Sequence, residues 1–256
     1  MNLKRSTFFI LFLVVTTLPS FAQLVPRHFK DTIHHVTLIK FGYMITSSLG
    51  DLNDRFGNFN AVNLSCSYKT NKNWLWGAQF DFIFGNKVKE KNMLRNIATP
   101  DGFIIGGDGL LIDPTYNMRG FLSSIHFGRI LPIGYNNNSG IAVTTGLGLM
   151  QHRVLISLER NTSSYALDKE LTRGYDRLSN GLLWHNSVGY THLSNKGLMN
   201  FFGSFDFGVA STQSRRSFDY DSGETNKTNR LDGFWGIRVG FILPLYPKIP
   251  PEFYYN

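Results

Sequence analysis

The sequence predicts an all-β fold, an eight-stranded antiparallel up-and-down transmembrane β-barrel. Three observations predict it. The first is a period-2 alternation in which bulky apolar residues take one face and small polar residues the other. Within residues 182–209, Met199, Phe201, Phe205, Phe207 and Val209 share one face, and Asn200, Ser204, Asp206 and Gly208 share the opposite one. A sheet in water turns long polar side chains outward. A membrane barrel turns bulky apolar groups toward lipid and small polar groups toward a narrow interior. The second observation is that short and long connections alternate along the chain, as they do when tight turns sit at one barrel end and long loops at the other. The third is composition. Charged residues make up only 17% of the chain, against 25 Gly, 22 Phe and 11 Tyr, and a helical protein of this length carries more Ala, Leu, Glu and Lys.

Taken in order, residues 1–22 read as a secretory signal. Lys4 and Arg5 precede an apolar run from Phe8 to Leu18, and Ser20-Phe21-Ala22 supplies small residues at −3 and −1, which places cleavage after Ala22. The run is shorter than the roughly 20 residues of a spanning helix. Residues 23–256 form one barrel domain, with a short lead-in over 23–33 and a tail over 247–256.

The first strand, 35–48, sets Thr37, Ile39, Phe41, Tyr43 and Ile45 against Lys40 and Gly42, and a polar loop follows over 51–58. The second, 59–69, places Val62, Leu64, Cys66 and Tyr68 outward and Asn63, Ser65 and Ser67 inward. Asn71-Lys72-Asn73 makes a tight turn. The third, 74–85, carries Trp76, Ala78, Phe80, Phe82 and Phe84 on one face and Gly77, Gln79 and Asp81 on the other. After a long segment comes the fourth strand, 118–131, with Phe121, Ile125 and Phe127 outward and His126 inward. The fifth, 140–158, is long enough to continue past the membrane. The sixth and seventh form the 182–209 hairpin, and the last strand, 230–245, opposes Trp235, Ile237, Val239, Phe241 and Leu243 to Gly236, Arg238 and Gly240. Tyr43, Tyr68, Trp74, Trp184, Trp235 and Tyr246 lie near strand ends, where amphipathic rings favour the headgroup level. The segments after the second, fourth and sixth strands are short, so both chain ends fall on the periplasmic side.

Seven polar residues, Lys40, Gln79, Asp81, His126, His185, Asp206 and Arg238, project inward by parity. An eight-stranded barrel is only wide enough for its own side chains or one small ligand, and a buried unpaired charge is costly. These seven are therefore expected to form an interior pairing network rather than a pore lining or a reaction centre. No metal site is expected, since Asp101 and Asp108 fit no calcium-loop spacing. No cofactor is expected either: Gly106-Gly107-Asp108-Gly109 lacks the strand–helix setting of a phosphate loop. The single Cys66 excludes a disulfide framework. Loss of the signal lowers the formal charge from +8 to +6. An exported basic chain meets no nucleic acid, so its expected counter-charges are outer-membrane lipids and lipopolysaccharide phosphates. Arg153, Arg160, Lys169, Arg173, Arg177, Arg215 and Arg216, in or near the long loops, are the candidates to meet them.

The ending GFWGIRVGFILPLY followed by PPEFYYN resembles small outer-membrane barrels of the Bacteroidota, and the Gln23 after the cleavage point fits that group. The resemblance implies a bacterial outer-membrane location. It also implies a non-enzymatic structural or accessory role beside an envelope protein partner, such as a secretion machine of the type IX kind. A second, local resemblance lies at His192-Leu193-Ser194-Asn195, which is similar to the H-x-S-N stretch of PagL-type lipid A deacylases. That likeness implies an alternative, in which Ser194 attacks a lipid ester, His192 takes its proton and an acid on the next strand orients the His. Here that acid would be Asp206, where the deacylases carry Glu. Binding of a small hydrophobic ligand in the barrel mouth is a further alternative.

Overall fold

The computed structural model describes residues 35–90, 93–158, 172–194, 199–221, 223 and 228–246. The expected signal and its cleavage point, the Asn195 turn and the 247–256 tail lie outside the described residues.

Eight long strands pair antiparallel with their sequence neighbours. They are β1 (Val36–Gly50), β2 (Phe59–Lys69), β3 (Trp74–Gly85), β6 (Pro114–Pro132), β7 (Gly140–Leu158), β8 (Ser179–His192), β9 (Phe201–Ser214) and β10 (Arg230–Leu245). The ring closes between β1 and β10, in a register running from Thr37 opposite Leu245 to Gly50 opposite Asp232. Closure leaves no open edge in this sheet, so each of the eight strands finds backbone partners on both sides. Two further strands, β4 (Ile104–Ile105) and β5 (Leu111–Ile112), pair only with each other in the β3–β6 connection. One short helix, α1 (Asp51–Arg55), stands in the β1–β2 connection. The expected polar loop over 51–58 is thus partly helical.

β2, β3, β7 and β10 keep the bounds that the sequence pattern indicates, whereas two others begin earlier. β6 starts at Pro114 rather than 118, and β8 starts at Ser179 rather than 182. β6 and β7 are each 19 residues long, about twice the 9–11 needed to cross a bilayer. Their surplus pairs Pro114–Met118 with Val154–Leu158 and rises above the barrel at the end carrying the long loops.

The outer surface is a continuous apolar belt. Ile125, Leu147, Leu182 and Phe241 are each more than 70% exposed. All three acids on the eight strands, Asp81, Asp206 and Asp232, are buried inside. A surface this apolar is one that lipid, not water, covers. Tyr43, Tyr68, Trp74, Trp184 and Trp235 sit on it, but Tyr246 instead packs against the cluster closing the turn end.

The interior is layered. At the loop end, Met44, Phe56, Phe59, Ile83, Met150 and Phe234 belong to an apolar cluster into which α1 and the residue after it lower Leu52 and Phe56. At the turn end, Leu38, Leu75, Ile130, Leu193, Phe202 and Ile242 form a second cluster. The polar interior anticipated from the alternation is concentrated in the layer between them. The wall there is thinned by glycine: Gly42 faces Gly240 across the closing seam. A Cβ on Gly240 would stand 2.1 Å from the Phe41 carbonyl oxygen and 2.8 Å from the Phe202 ring. Only glycine lets that ring lie against the wall.

Candidate functional site

Two places concentrate polar chemistry, the middle layer of the interior and the crown at the loop end. In the middle layer, Arg238 on β10 reaches Asp81 on β3 at 3.2 Å and Asp206 on β9 at 3.3 Å, bridging opposite walls of the barrel. His185 stands 3.0 Å from Asp206. Asn63 donates to Asp81 at 2.9 Å, Ser204 donates to Asp206 at 2.7 Å, and Gln79 lies within 3.3 Å of both Asp81 and His185. His126 bonds to Ser67 at 2.9 Å. The Lys40 amine lies over the Phe202 ring, 5.3 Å from its centroid.

The alternation of each strand sets these positions, and closure of the ring brings them to one level. Five of the seven inward residues named from sequence (Gln79, Asp81, His185, Asp206 and Arg238) therefore meet in one connected network. Lys40 and His126 line the same small cavity beside it. That cavity measures about 40 Å³ and is walled chiefly by polar groups. It admits water-sized guests and lies far below the roughly 300 Å³ of a small-molecule site.

Asn63, which the pattern of the second strand places inward, is in the network. Parity adds two further inward residues. His152 bonds to Asp232 at 2.8 Å inside the loop-end cluster, with its ring edge-on to Phe56. Lys69 is fully buried and donates to Asn138 at 2.8 Å at the turn end.

His192 and Ser194 lie elsewhere. The His192 ring faces outward and stacks on Phe201 at 4.8 Å and on Tyr190 at 6.5 Å. The Ser194 N–H donates to the Asn200 side chain at 2.8 Å, closing the start of the turn. Asp206 stands on the inner side of the wall, engaged with His185, Ser204 and Arg238. His192 and Ser194 are at the turn end, so the three residues do not converge.

The crown is built from loop residues whose pairing the sequence did not reveal. Glu90 receives the guanidinium groups of both Arg55 and Arg177. Arg177 also lies 3.6 Å from Asp219 and 3.4 Å from Asp221, and Arg55 reaches Ser179 and the Arg177 carbonyl at 3.2 Å. The Glu90 carboxylate thus ties three of the long connections together, and Arg177 links the fourth through Asp219 and Asp221. Burial by itself would push the Glu90 carboxyl up, but the two guanidinium groups outweigh it and hold it below its ordinary value of 4.5. Asp176 grips Arg216 through both oxygens and keeps that guanidinium above its usual range. Leu94, Ile104 and Tyr175 form a small apolar core under these pairs. A charged cleft of about 530 Å³ opens between Asp54, Arg55, Glu90, Arg177, Asp219 and Arg230.

No protein-family model matches the sequence, and no curated protein matches it. Among solved structures it is similar to several bacterial outer-membrane proteins. Ail, the attachment invasion locus protein of Yersinia pestis, shares 13% identity over 82% of this chain and 99% of its own, with a TM-score of 0.40. Neisserial surface protein A shares 10% over 80% of this chain and 97% of its own, with a TM-score of 0.37. OprG from Pseudomonas aeruginosa shares 12% over 87% of this chain and all of its own, with a TM-score of 0.35. The class of the present protein, a closed eight-stranded barrel with an apolar exterior, stands on its own strand register.

Proposed function

We propose that this protein is an integral barrel of the bacterial outer membrane that performs no chemistry. It would serve as a structural or accessory component of the envelope, contacting partners through its crown and its 247–256 tail. The observation that carries this reading is the layered interior: among the described residues, an apolar cluster at each end with ion pairs between leaves no chamber of substrate size inside the barrel. What remains available is the outside. The crown offers a contact surface there, since Phe103, Ile105, Leu110 and Leu111 on the β4–β5 hairpin are all exposed beyond the strands, and an apolar cluster of this kind favours a protein partner. The likeness of the last strand and tail to small Bacteroidota barrels supports attachment to a larger envelope machine.

The test is recovery of the tagged full-length protein in mild detergent, with and without residues 247–256, alongside lipid A analysis of wild-type and Ser194→Ala cells. The expected result is a stoichiometric partner lost with the tail, and identical lipid A in both strains. Absence of a partner, together with lipid A that gains acyl chains in the Ser194→Ala strain, would overturn this reading in favour of a hydrolase.

A further inference from the structure

Arg119 on β6 and Arg153 on β7 are direct cross-strand partners. Both side chains leave the outer face of the wall, in the same parity as Phe121, Ile125, Leu147 and Leu149. One step toward the turn end the row reads Phe121 opposite Gln151, and below it the surface is apolar. The two arginine side chains therefore leave neighbouring positions on the loop-end rim of the belt, within reach of a single anion at the height where lipid headgroups begin. Like charges placed directly opposite on an exposed sheet face destabilise the pair, so the arrangement calls for an anion.

The barrel supplies little of one. All acids of the eight strands are buried inside. Among the described residues, Arg119 donates only to its neighbouring Met118 carbonyl, at 2.7 Å. Arg153 lies 3.7 Å from Asp176, whose two oxygens are already gripped by Arg216. Arg215 extends the row past Asn180 on β8, to which it donates. We infer that Arg119 and Arg153 form a binding site on the barrel's outer wall for the phosphate of an anionic glycolipid headgroup, of the lipid A type. The acyl chains of that lipid would lie on the belt beneath. Two adjacent guanidinium forks match the oxygens of one phosphate and give short, charge-assisted hydrogen bonds. The site rests on the outer-membrane reading above, because only a membrane brings a headgroup to that height.

The test uses the full-length barrel reconstituted into phosphatidylcholine vesicles, alone or with a minor fraction of lipid A, dephosphorylated lipid A, or inorganic phosphate in solution. Bound lipid is counted by native mass spectrometry and thermal unfolding is followed in parallel. Lipid A is expected to bind and to raise Tm, and the dephosphorylated lipid and inorganic phosphate to do neither. Arg119→Gln with Arg153→Gln should weaken lipid A binding about tenfold or more, the loss of charge-assisted hydrogen bonds. In neutral vesicles the same pair should unfold no earlier than wild type, since a repulsion has been removed. Arg119→Lys with Arg153→Lys, which keeps charge but loses the fork, should bind with intermediate strength and controls for folding. Equal binding by the Gln variant, or equal stabilisation by inorganic phosphate, would overturn the site while leaving the barrel intact. Failure of the wild type to insert into any vesicle would overturn the membrane reading itself.

Discussion

Arg238 is the residue on which the interior depends. It holds two carboxylates from opposite walls, Asp81 and Asp206, in a layer with an apolar cluster on either side. A buried pair gains little over a well-packed apolar substitute, but removing one partner strands the other. Arg238→Met should therefore cost about 3–5 kcal/mol, measured by denaturant unfolding in vesicles. Adding Asp81→Asn and Asp206→Asn should recover most of that loss. Glu90 shows the same physics in the crown, with a pH signature. Its folded value lies below 4.5, so its contribution to stability is complete above 4.5 and is lost as pH falls through the lowered folded value. Glu90→Gln should lower stability by about 1.5–3 kcal/mol at neutral pH, the worth of a charged hydrogen bond. Unfolding measured from pH 7 downward should show wild type and variant converging below that value. A gap that widens on acidification would show that Glu90 is not the tie.

At the scale of elements, α1 and the residues flanking it do what no strand does. The apolar Leu52 and Phe56 of that connection close the loop end of the barrel. Phe56→Ala removes a fully buried ring wedged against His152, and should cost about 3–5 kcal/mol by cavity formation, read from the same unfolding curves. The plug also marks the boundary of what the sequence discloses. Strand identity and facing were legible because a two-residue period repeats within each strand, as in Phe201, Phe205 and Phe207 against Ser204 and Asp206. The β10 bounds of Arg230–Leu245 agree with the pattern. By contrast, Leu52 and Phe56 are two apolar residues in a polar loop, and their burial depends on where the closed ring puts that loop. The Glu90 tie has the same cause. Its partners Arg55 and Arg177 are 35 and 87 positions away, and no local period links them. The first residues of β6 and β8 are not legible in the pattern, because Thr115, Asn117 and Asn180 interrupt the apolar face while the backbone ladder continues.

For the whole molecule, the order of the layers decides what can pass. An ion entering from the loop end meets Phe56, Phe59 and Phe234, then the Arg238 pairs, and then Leu75, Phe202 and Ile242. Apolar constrictions exclude ions by refusing them water, and here two stand in series with a charged layer between. The intact barrel should therefore show no steady conductance in a planar bilayer. Phe56→Ala alone should also stay silent, since the turn-end plug is untouched. Only Phe56→Ala combined with Phe202→Ala opens both ends, and this pair should pass small, noisy currents limited by the Arg238 layer. A steady ohmic current through the wild type would mean that the plugs move aside in lipid. The interior would then have to be considered a pathway, and the argument that this protein works from its outer surfaces would fail with it.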